Sequence, residues 1–334
     1  MDKSSIITGF FDILKHKRQS IIFAVLKGEE FMYDIVIIGA GPAGLTAAVY
    51  ARRAEKSVLV IEKETFGGQI THSPKVENYP GTIQMSGNEF AEKLIEQAMN
   101  LGAEIELDEV TAIENEGTFK KVIGLNAVYE AKSVIIATGS KHRTLGAENE
   151  EKFVGQGVSY CAVCDGAFYR GKEVAVIGGG NTALQEAVML SELCKKVTLV
   201  QNLAFFTGEK KLLALLEKKD NVEFITNSVI CALDGDDTLS SVRVLNTETG
   251  EEKTLFVDGI FVAIGQMPEN EPFKAVSSLD DYGYIISGEE CESGTDGVFV
   301  AGDCRTKRVR QIATAVSDGA VAAVNACKYV DSLE

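Results

Sequence analysis

The sequence predicts an α/β protein of two parallel-sheet domains built on one plan, the second inserted in the first. Three observations carry this. A buried-strand pattern, a glycine-rich turn and a helical periodicity follow one another at 34–55 and again at 173–193. Each copy later adds an apolar strand that closes on glycine, Val-Ile-Ile-Ala-Thr-Gly at 134–139 and Ile-Phe-Val-Ala-Ile-Gly at 260–265. After the second copy come only a strand at 298–301 and a helix from about 311 to 330. A lone strand and helix cannot bury a core of their own, so they are expected to return and complete the first domain. Both glycine turns sit between a strand and a helix, the setting of a dinucleotide-binding motif, so the two domains are expected to be Rossmann-like dinucleotide-binding domains.

In chain order, 34–38 (Asp-Ile-Val-Ile-Ile) is a near-continuous apolar run, as in a strand buried on both faces. The spacing then predicts a helix over 42–55 and a strand over 57–61, which complete a βαβ unit. A helix at 86–101 and a strand at 133–137 follow. The plan restarts with a strand at 173–177, a helix at 181–193 and a strand at 196–200. Residues 1–31 differ from the rest. They carry Lys3, Lys15, Lys17, Arg18 and Lys27 against Asp2, Glu29 and Glu30, and their pattern fits a short amphipathic helix. They are read as an N-terminal extension of unknown role, or as a stretch upstream of a start at Met32.

The 334 residues suffice for two domains with full cores, and 45% hydrophobic with 25% charged residues is ordinary for soluble globular chains. The 33 Lys and Arg against 49 Asp and Glu give a net charge of −16, which argues against nucleic acid as a partner. The apolar run Ile21–Leu26 falls far short of the roughly 18 residues that suggest a membrane span. No secretory signal is evident. The seven cysteines show no disulfide-framework spacing, and a reducing, cytoplasmic compartment fits them. Five of them (Cys194, Cys231, Cys291, Cys304 and Cys327) read as buried or incidental thiols.

Three motifs carry chemistry. In Gly39-Ala40-Gly41-Pro42-Ala43-Gly44, Gly39 permits the tight turn, Gly41 lets a pyrophosphate approach the backbone, and Gly44 lets helix and strand pack closely. Glu62, 23 residues after Gly39, ends the next strand, where a carboxylate can accept from ribose hydroxyls. The second motif is Gly178-Gly179-Gly180-Asn181-Thr182-Ala183. Two such sites in one chain suggest a flavoprotein that passes electrons from a nicotinamide to a bound flavin. Yet its second strand ends Val200-Gln201-Asn202-Leu203-Ala204, with no carboxylate for a ribose and no arginine for a 2′-phosphate. Two readings stay open: a weak pyrophosphate site, or a turn kept for packing.

The third motif is Cys161-Ala162-Val163-Cys164-Asp165. Two thiols at this spacing can close a small redox disulfide. A structural zinc site would need a second cysteine or histidine pair, and the only histidines are His16, His72 and His142, so no metal is expected. Asp165 is read either as a proton relay for thiol–disulfide exchange or as a solvated turn acid.

From Tyr33 to about Leu333 the ordered set Gly39–Gly44, Gly67-Gly68-Gln69, Glu77-Asn78-Tyr79-Pro80-Gly81, Ala137-Thr138-Gly139, Cys161–Gly166, Gly178–Ala183, Gly302-Asp303 and Arg310-Gln311-Ile312 resembles the low-molecular-weight thioredoxin reductases. In the larger glutathione-reductase-like flavoenzymes the cysteine pair lies on the first-domain helix, which here has none. The resemblance implies FAD on Gly39, Gly41, Pro42, Ala43 and Gly44, with Glu62 on the adenosine ribose. It places Gly67, Gly68, Gln69, Asn78, Thr138 and Gly139 along the cofactor, Asp303 on the ribityl chain, and Arg310, Gln311 and Ile312 at the isoalloxazine and phosphates. It makes Cys164 the sulfur that faces the flavin, Cys161 the one that attacks the thioredoxin disulfide, and Asp165 the acid. Gly178, Gly180, Asn181 and Thr182 would hold a nicotinamide nucleotide if one is used. The implied domains are 32–143 with 269–334 for FAD and 144–268 for the NAD(P)-type unit that carries the cysteine pair. A rigid-body rotation, on connections near Lys141–Gly146 and Gln266–Pro272, and a homodimer are implied as well.

The chain departs from the family where NADPH-using members carry a His-Arg-Arg cluster; here Gln201-Asn202-Leu203-Ala204-Phe205-Phe206 stands. It therefore also resembles the ferredoxin-dependent flavin thioredoxin reductases. The expected electron donor stays open between NADPH, NADH and ferredoxin, with Lys210 and Lys211 as the nearest bases for a 2′-phosphate, although exposed helix positions suit them better. Arg305, Lys307, Arg308 and Arg310 are read as ordinary surface charge or as a dock for an acidic ferredoxin, with Arg310 assigned to FAD. A flavin-binding redox sensor without turnover is the other class, disfavoured by the intact Cys161–Cys164 pair.

Overall fold

The computed structural model describes residues 32–73 and 75–333. The extension 1–31 and its expected helix lie outside the described residues.

The first sheet is built from β1 (Met32–Ile38), β2 (Val58–Glu62), β3 (Glu104–Leu107), β4 (Val110–Asn115), β5 (Lys120–Gly124) and β6 (Val128–Ile136), in the order β3-β2-β1-β6-β5-β4. Between them run α1 (Pro42–Arg53) and α2 (Gly87–Asn100). Alternate residues of β1 enter opposite cores. Ile35 and Ile37 pack with α1 and the last helix, while Val36 and Ile38 pack with Val110, Ile113, Val122 and Phe273. This two-sided burial is why the strand reads as an unbroken apolar run. The expected strand at 133–137 is the end of the longer β6. Its first residues pair antiparallel with β5, and its last three pair parallel with a strand from near the other end of the chain.

The second sheet is parallel, in the order β11-β10-β9-β15-β8, from β8 (Val158–Ser159), β9 (Glu173–Ile177), β10 (Lys196–Val200), β11 (Val222–Ile225) and β15 (Gly259–Val262). The short α3 (Ala162–Asp165), then α4 (Asn181–Leu193) and α5 (Lys210–Leu216), belong to this part. One sheet face packs on α4 through Ala183, Leu184, Ala187 and Leu190. The other packs on an antiparallel meander of β12 (Ser228–Gly235), β13 (Leu239–Asn246) and β14 (Glu252–Phe256).

Two short strands, β7 (Lys141–His142) and β16 (Gln266–Met267), pair antiparallel on the connections into and out of the second sheet. Both expected connections thus lie side by side. Finally β17 (Val298–Val300) returns to pair with β6, and α6 (Ile312–Asp331) packs on α1. A Cβ on Gly319 of α6 would lie 2.2 Å from the Ala43 carbonyl oxygen, so only glycine permits this approach. Among the described residues no helix is long and apolar enough to cross a membrane, and no cluster of metal-ligating side chains occurs.

Candidate active site

The chain turns tightly from β1 into α1. Gly39 has φ +107°, and a Cβ there would meet the Ala137 oxygen at 2.4 Å. Near Gly41 a Cβ would find only the Gly67 oxygen, at 3.9 Å, so the backbone stays open to an anion. α1 starts with no capping side chain and no acid in its first turn, which leaves its first amides and the positive end of its dipole for a pyrophosphate. Glu62 accepts from the Ala40 amide at 2.8 Å and from the Lys63 and Glu64 amides at 2.9 Å. These bonds hold the carboxylate beside the turn, with acceptor capacity left for ribose hydroxyls.

Two other segments converge here. The Gly67 amide donates to the Ala40 oxygen at 2.8 Å, and a Cβ on Gly68 would lie 3.1 Å from Gly41 Cα, so Gly67-Gly68 lies against the glycine turn. Gln69 and Asn78 are exposed. From the far end of the chain, Gly302 packs on Ala43 and brings Asp303 to the same place. Thr138 donates to the buried Asn270 at 3.3 Å, and Gly139 has no neighbour within 4 Å of where a Cβ would stand.

Asp303 is the informative member. Its Oδ1 is buried with no partner, and burial pushes its carboxyl up to about 6 against the pull of Lys307 and Arg310. A buried carboxyl without a partner is costly, and ligand hydroxyls would satisfy it. An open turn for a pyrophosphate, a carboxylate for a ribose and an unpartnered carboxyl for a ribityl chain together fit FAD.

The basic run beside Asp303 is not an exposed docking patch. Arg305 and Lys307 turn inward onto Asp318 of α6, at 2.8 and 2.9 Å, with side chains only 12% and 8% exposed. Asp318 also accepts from the Gly302 amide at 3.0 Å. Arg310 donates to the Asp303 and Arg305 carbonyl oxygens and lies over the Tyr284 ring. Of the four, only Arg308 is exposed. The cause is the buried Asp318 carboxylate, which needs cationic partners and takes the nearest two.

Cys161 and Cys164 form a disulfide at the start of α3, with Cα atoms 5.3 Å apart. Gln311, which begins α6, places Nε2 3.8 Å from Cys161 Sγ and 4.0 Å from Cys164 Sγ. Its Oε1 accepts from Asn78 at 3.1 Å. The cysteine pair therefore meets residues of the FAD set, although it belongs to the second sheet's part of the chain. Asp165 follows. Its Oδ2 accepts from Ser159 at 2.7 Å, while Oδ1 is buried without a partner. Burial raises its pKa, and the Ser159 bond opposes the rise. It lines a cavity of about 260 Å³ with Ser159, Tyr169, Lys172 and Asp258.

The second glycine turn repeats the first. Gly178 has φ +135°, with a Cβ position 2.4 Å from the Ala263 oxygen, and α4 starts without a capping side chain or an acid in its first turn. Beyond the turn the likeness ends. Gln201 is buried beside Gly179, and its amide nitrogen donates to the Phe205 oxygen at 3.2 Å. The Gly179 oxygen accepts from the Thr207 and Gly208 amides, and Asn181 Oδ1 accepts from the Glu209 amide at 2.7 Å. Thr182 is exposed at the start of α4. Asn202, Leu203, Ala204 and Phe205 are exposed and uncharged, and Lys210 and Lys211 are exposed at the start of α5.

The family model for pyridine nucleotide-disulphide oxidoreductases matches residues 33–319. A thioredoxin reductase of Listeria innocua is 40% identical over 310 residues, 92% of this chain and 97% of its own length. The chain belongs to the low-molecular-weight thioredoxin reductases. It is thus an FAD-dependent disulfide oxidoreductase with a Rossmann-like α/β fold. Among solved structures, a thioredoxin reductase of Streptococcus pyogenes is 42% identical with a TM-score of 0.87, covering 90% of this chain and 99% of its own. A thioredoxin reductase of Lactococcus lactis, described as in an FR conformation, is 40% identical with a TM-score of 0.62, over 90% and 99%.

Some residues of this thioredoxin reductase site escaped sequence reasoning. Ser159, Asn270 and Asp318 are ordinary polar residues that no motif marks: Asn270 meets Thr138 132 residues away, and Ser159 and Asp318 meet Asp165 and Arg305 only through the way the chain turns between them. Glu186, whose Oε1 accepts from the Ala162 amide at 3.3 Å, had a signal: helical spacing puts it on the face of α4 that Ala183 and Leu190 bury.

Proposed function

We propose that the chain reduces the disulfide of thioredoxin or a thioredoxin-like protein. When bound, FAD supplies the two electrons that open the Cys161–Cys164 disulfide. Cys164 faces the flavin, Cys161 attacks the partner's disulfide, and Asp165 gives the proton that the leaving sulfur needs. Gly39–Gly44, Glu62, Gly67–Gln69, Asn78, Thr138, Gly139, Gly302, Asp303 and Arg310–Ile312 hold the cofactor. The contact of Gln311 with both sulfurs carries this reading, because it seats the pair on the FAD set. The buried, raised carboxyl of Asp165 beside a cavity suits a proton donor resupplied from solvent.

We infer that the pair leaves its seat against Gln311 to meet a protein disulfide. We take 32–143 with 269–334 and 144–268 as the two units, turning about β7 and β16. Two solved relatives of nearly equal identity score 0.87 and 0.62, as expected where the same units adopt different arrangements.

We favour reduced ferredoxin or NADH over NADPH as donor. The uncharged stretch Gln201–Phe206 leaves a 2′-phosphate without bidentate partners. A homodimer in the cytoplasm completes the proposal. The test is anaerobic: the flavin absorbance of the purified protein is followed as NADPH, NADH or reduced ferredoxin is added, and thiols on added thioredoxin are counted. A protein that purifies without FAD and cannot be reconstituted with it, or one that leaves thioredoxin oxidised with every donor, overturns the proposal.

A further inference from the structure

Two carboxyl groups flank the Cys161–Cys164 pair, each with one oxygen buried and unpartnered: Asp165 Oδ1 and Glu186 Oε2. Asp165 has a role in the reaction proposed above; Glu186 has none. It sits in the second turn of α4, on the face that packs against α3 and the turn after it. Its Oε1 accepts from the Ala162 amide at 3.3 Å. That amide belongs to the peptide bond joining Cys161 to Ala162, so the carboxyl stands one peptide from the attacking sulfur.

We propose that Glu186 is a positioning residue for the redox pair: it anchors the Cys161–Ala162 peptide and takes up a proton when the disulfide is reduced, balancing inside the protein the thiolate that reduction creates. The inference rests on the reading of Cys161–Cys164 as the redox pair. The balance is simple. Two electrons arrive, from the reduced flavin in turnover or from a dithiol in the test, and the S–S bond breaks. One sulfur takes a proton, the other stays a thiolate, and the Glu186 carboxylate takes a second proton from solvent. Reoxidation by a protein disulfide reverses each step on this side and leaves the dithiol on the partner.

The electrostatics agree. Burial pushes the Glu186 carboxyl up to about 7, opposed only by the Ala162 amide, so near neutral pH it can gain or lose a proton as its surroundings change. A new negative charge close by raises it further. The elements packed on α4 bring few competing charges. α3 and the turn after it bring Asp165, held by Ser159, and Tyr169, whose ring packs on Phe261. β9 and β10 bring Glu173 and Lys196, paired outward with Lys195 and Glu223, and α5 brings the exposed Lys210 and Lys211. None of these figures among the influences on Glu186.

The test equilibrates the holoprotein with dithiothreitol redox buffers from pH 6 to 8.5 and reads the fraction of the Cys161–Cys164 pair reduced. Above the point where Glu186 ionises in the oxidised protein, the wild-type equilibrium constant for reduction by dithiothreitol is expected to stay level with pH, because the two protons the dithiol releases match the two taken up, while that of Glu186→Gln rises about tenfold per unit, since one proton fewer enters the variant. Equal slopes overturn the proposal. A pair that never equilibrates with dithiothreitol removes the redox reading itself, and the inference with it, so the two failures are distinct. An infrared difference spectrum of the unmodified protein, reduced minus oxidised at pH 8, guards against a variant that does not fold. A gain in protonated-carboxyl absorbance that persists in Asp165→Asn supports Glu186, and its absence from the unmodified protein overturns the proposal.

Discussion

The side-chain amide of Gln311 reaches Cys161 Sγ at 3.8 Å across 150 residues of sequence, and Cys164 Sγ at 4.0 Å. One side chain at the start of α6 therefore holds a disulfide that belongs to another sheet. The same amide is tied to the Arg310 oxygen at 2.7 Å and to Asn78 at 3.1 Å, so partners other than the sulfurs fix its orientation. A neutral hydrogen bond of this kind contributes about 1 kcal/mol net, and more once the acceptor carries charge.

Gln311→Ala is thus expected to slow electron transfer from flavin to disulfide by about fivefold, the equivalent of about 1 kcal/mol. Stopped-flow absorbance checks this, with FAD content measured alongside to separate lost alignment from lost cofactor. A rate equal to that of the unmodified protein would remove Gln311 from the alignment of the pair.

Cys161→Ser and Cys164→Ser should each abolish reduction of a protein disulfide while FAD stays bound at close to one per chain. The pair's hydrogen bonds to the FAD set run to Gln311, so losing a sulfur leaves the bonds that hold the glycine turns and Glu62 intact. Full thioredoxin reduction by either single variant would refute the assignment.

Asp165→Asn should slow turnover by roughly 10²-fold or more, the usual scale for loss of a positioned acid. Burial raises the Asp165 pKa, so its proton persists to higher pH than an ordinary aspartate's. The acid-dependent step should then weaken as pH rises through that value, and this limb of the pH–rate profile should vanish in the variant. Unchanged turnover would make Asp165 a turn residue.

Much of this arrangement was legible in the sequence, for a physical reason. A strand buried on both faces, a glycine forced to positive φ and a helix start left bare are local requirements, so β1, Gly39 and α1 announce themselves, and so do β9, Gly178 and α4. The return of β17 was also legible, since an isolated strand and helix cannot bury a core. The meander β12–β14 was not: one face is buried and the other wet, so its pattern alternates over short stretches that resemble loops. Nor was the inward turn of Arg305 and Lys307, because charge counting cannot see a carboxylate on the next helix. Gln311 was marked for the cofactor, but its reach to the sulfurs depends on how two sheets are placed together, and no local pattern encodes that.

Asp318 should prove structural. Burial works against its ionisation, but the bonds from Arg305 and Lys307 outweigh this and hold its pKa below the usual 3.8. Removing one partner of a buried ion cluster costs about 3–5 kcal/mol, so Asp318→Ala should lower denaturant stability on that scale and weaken FAD retention through Gly302 and Asp303. The sign with pH follows from a depressed carboxyl. The stabilisation is complete above the ordinary value and is lost as pH falls through the depressed one, so the variant's deficit should be full at pH 7 and shrink in acid. A deficit that does not shrink below pH 3.8 would count against the ion cluster as its source.

The donor gives the sharpest outcome. A 2′-phosphate carries close to two negative charges, and each charge-assisted bond to it is worth about 1.5–3 kcal/mol. Here the strand end that would supply those bonds offers buried Gln201, committed to the Phe205 oxygen, and then the exposed, uncharged Asn202 to Phe205. The turn beneath is sound, since Gly178 and the uncapped start of α4 repeat the geometry of the first site. NADPH should therefore reduce this flavin poorly, with little preference over NADH, while reduced ferredoxin should not suffer from the missing bases. The double change Asn202→Arg with Leu203→Arg restores two cations where the chain has none and should raise kcat/KM for NADPH by about tenfold or more, leaving NADH little changed, because only NADPH carries the extra phosphate. Steady-state kinetics with both nucleotides measure this directly. If the unmodified protein already shows a micromolar KM for NADPH and rapid flavin reduction, another base holds the phosphate, and Lys210 and Lys211, exposed at the start of α5, are the first to replace with Ala.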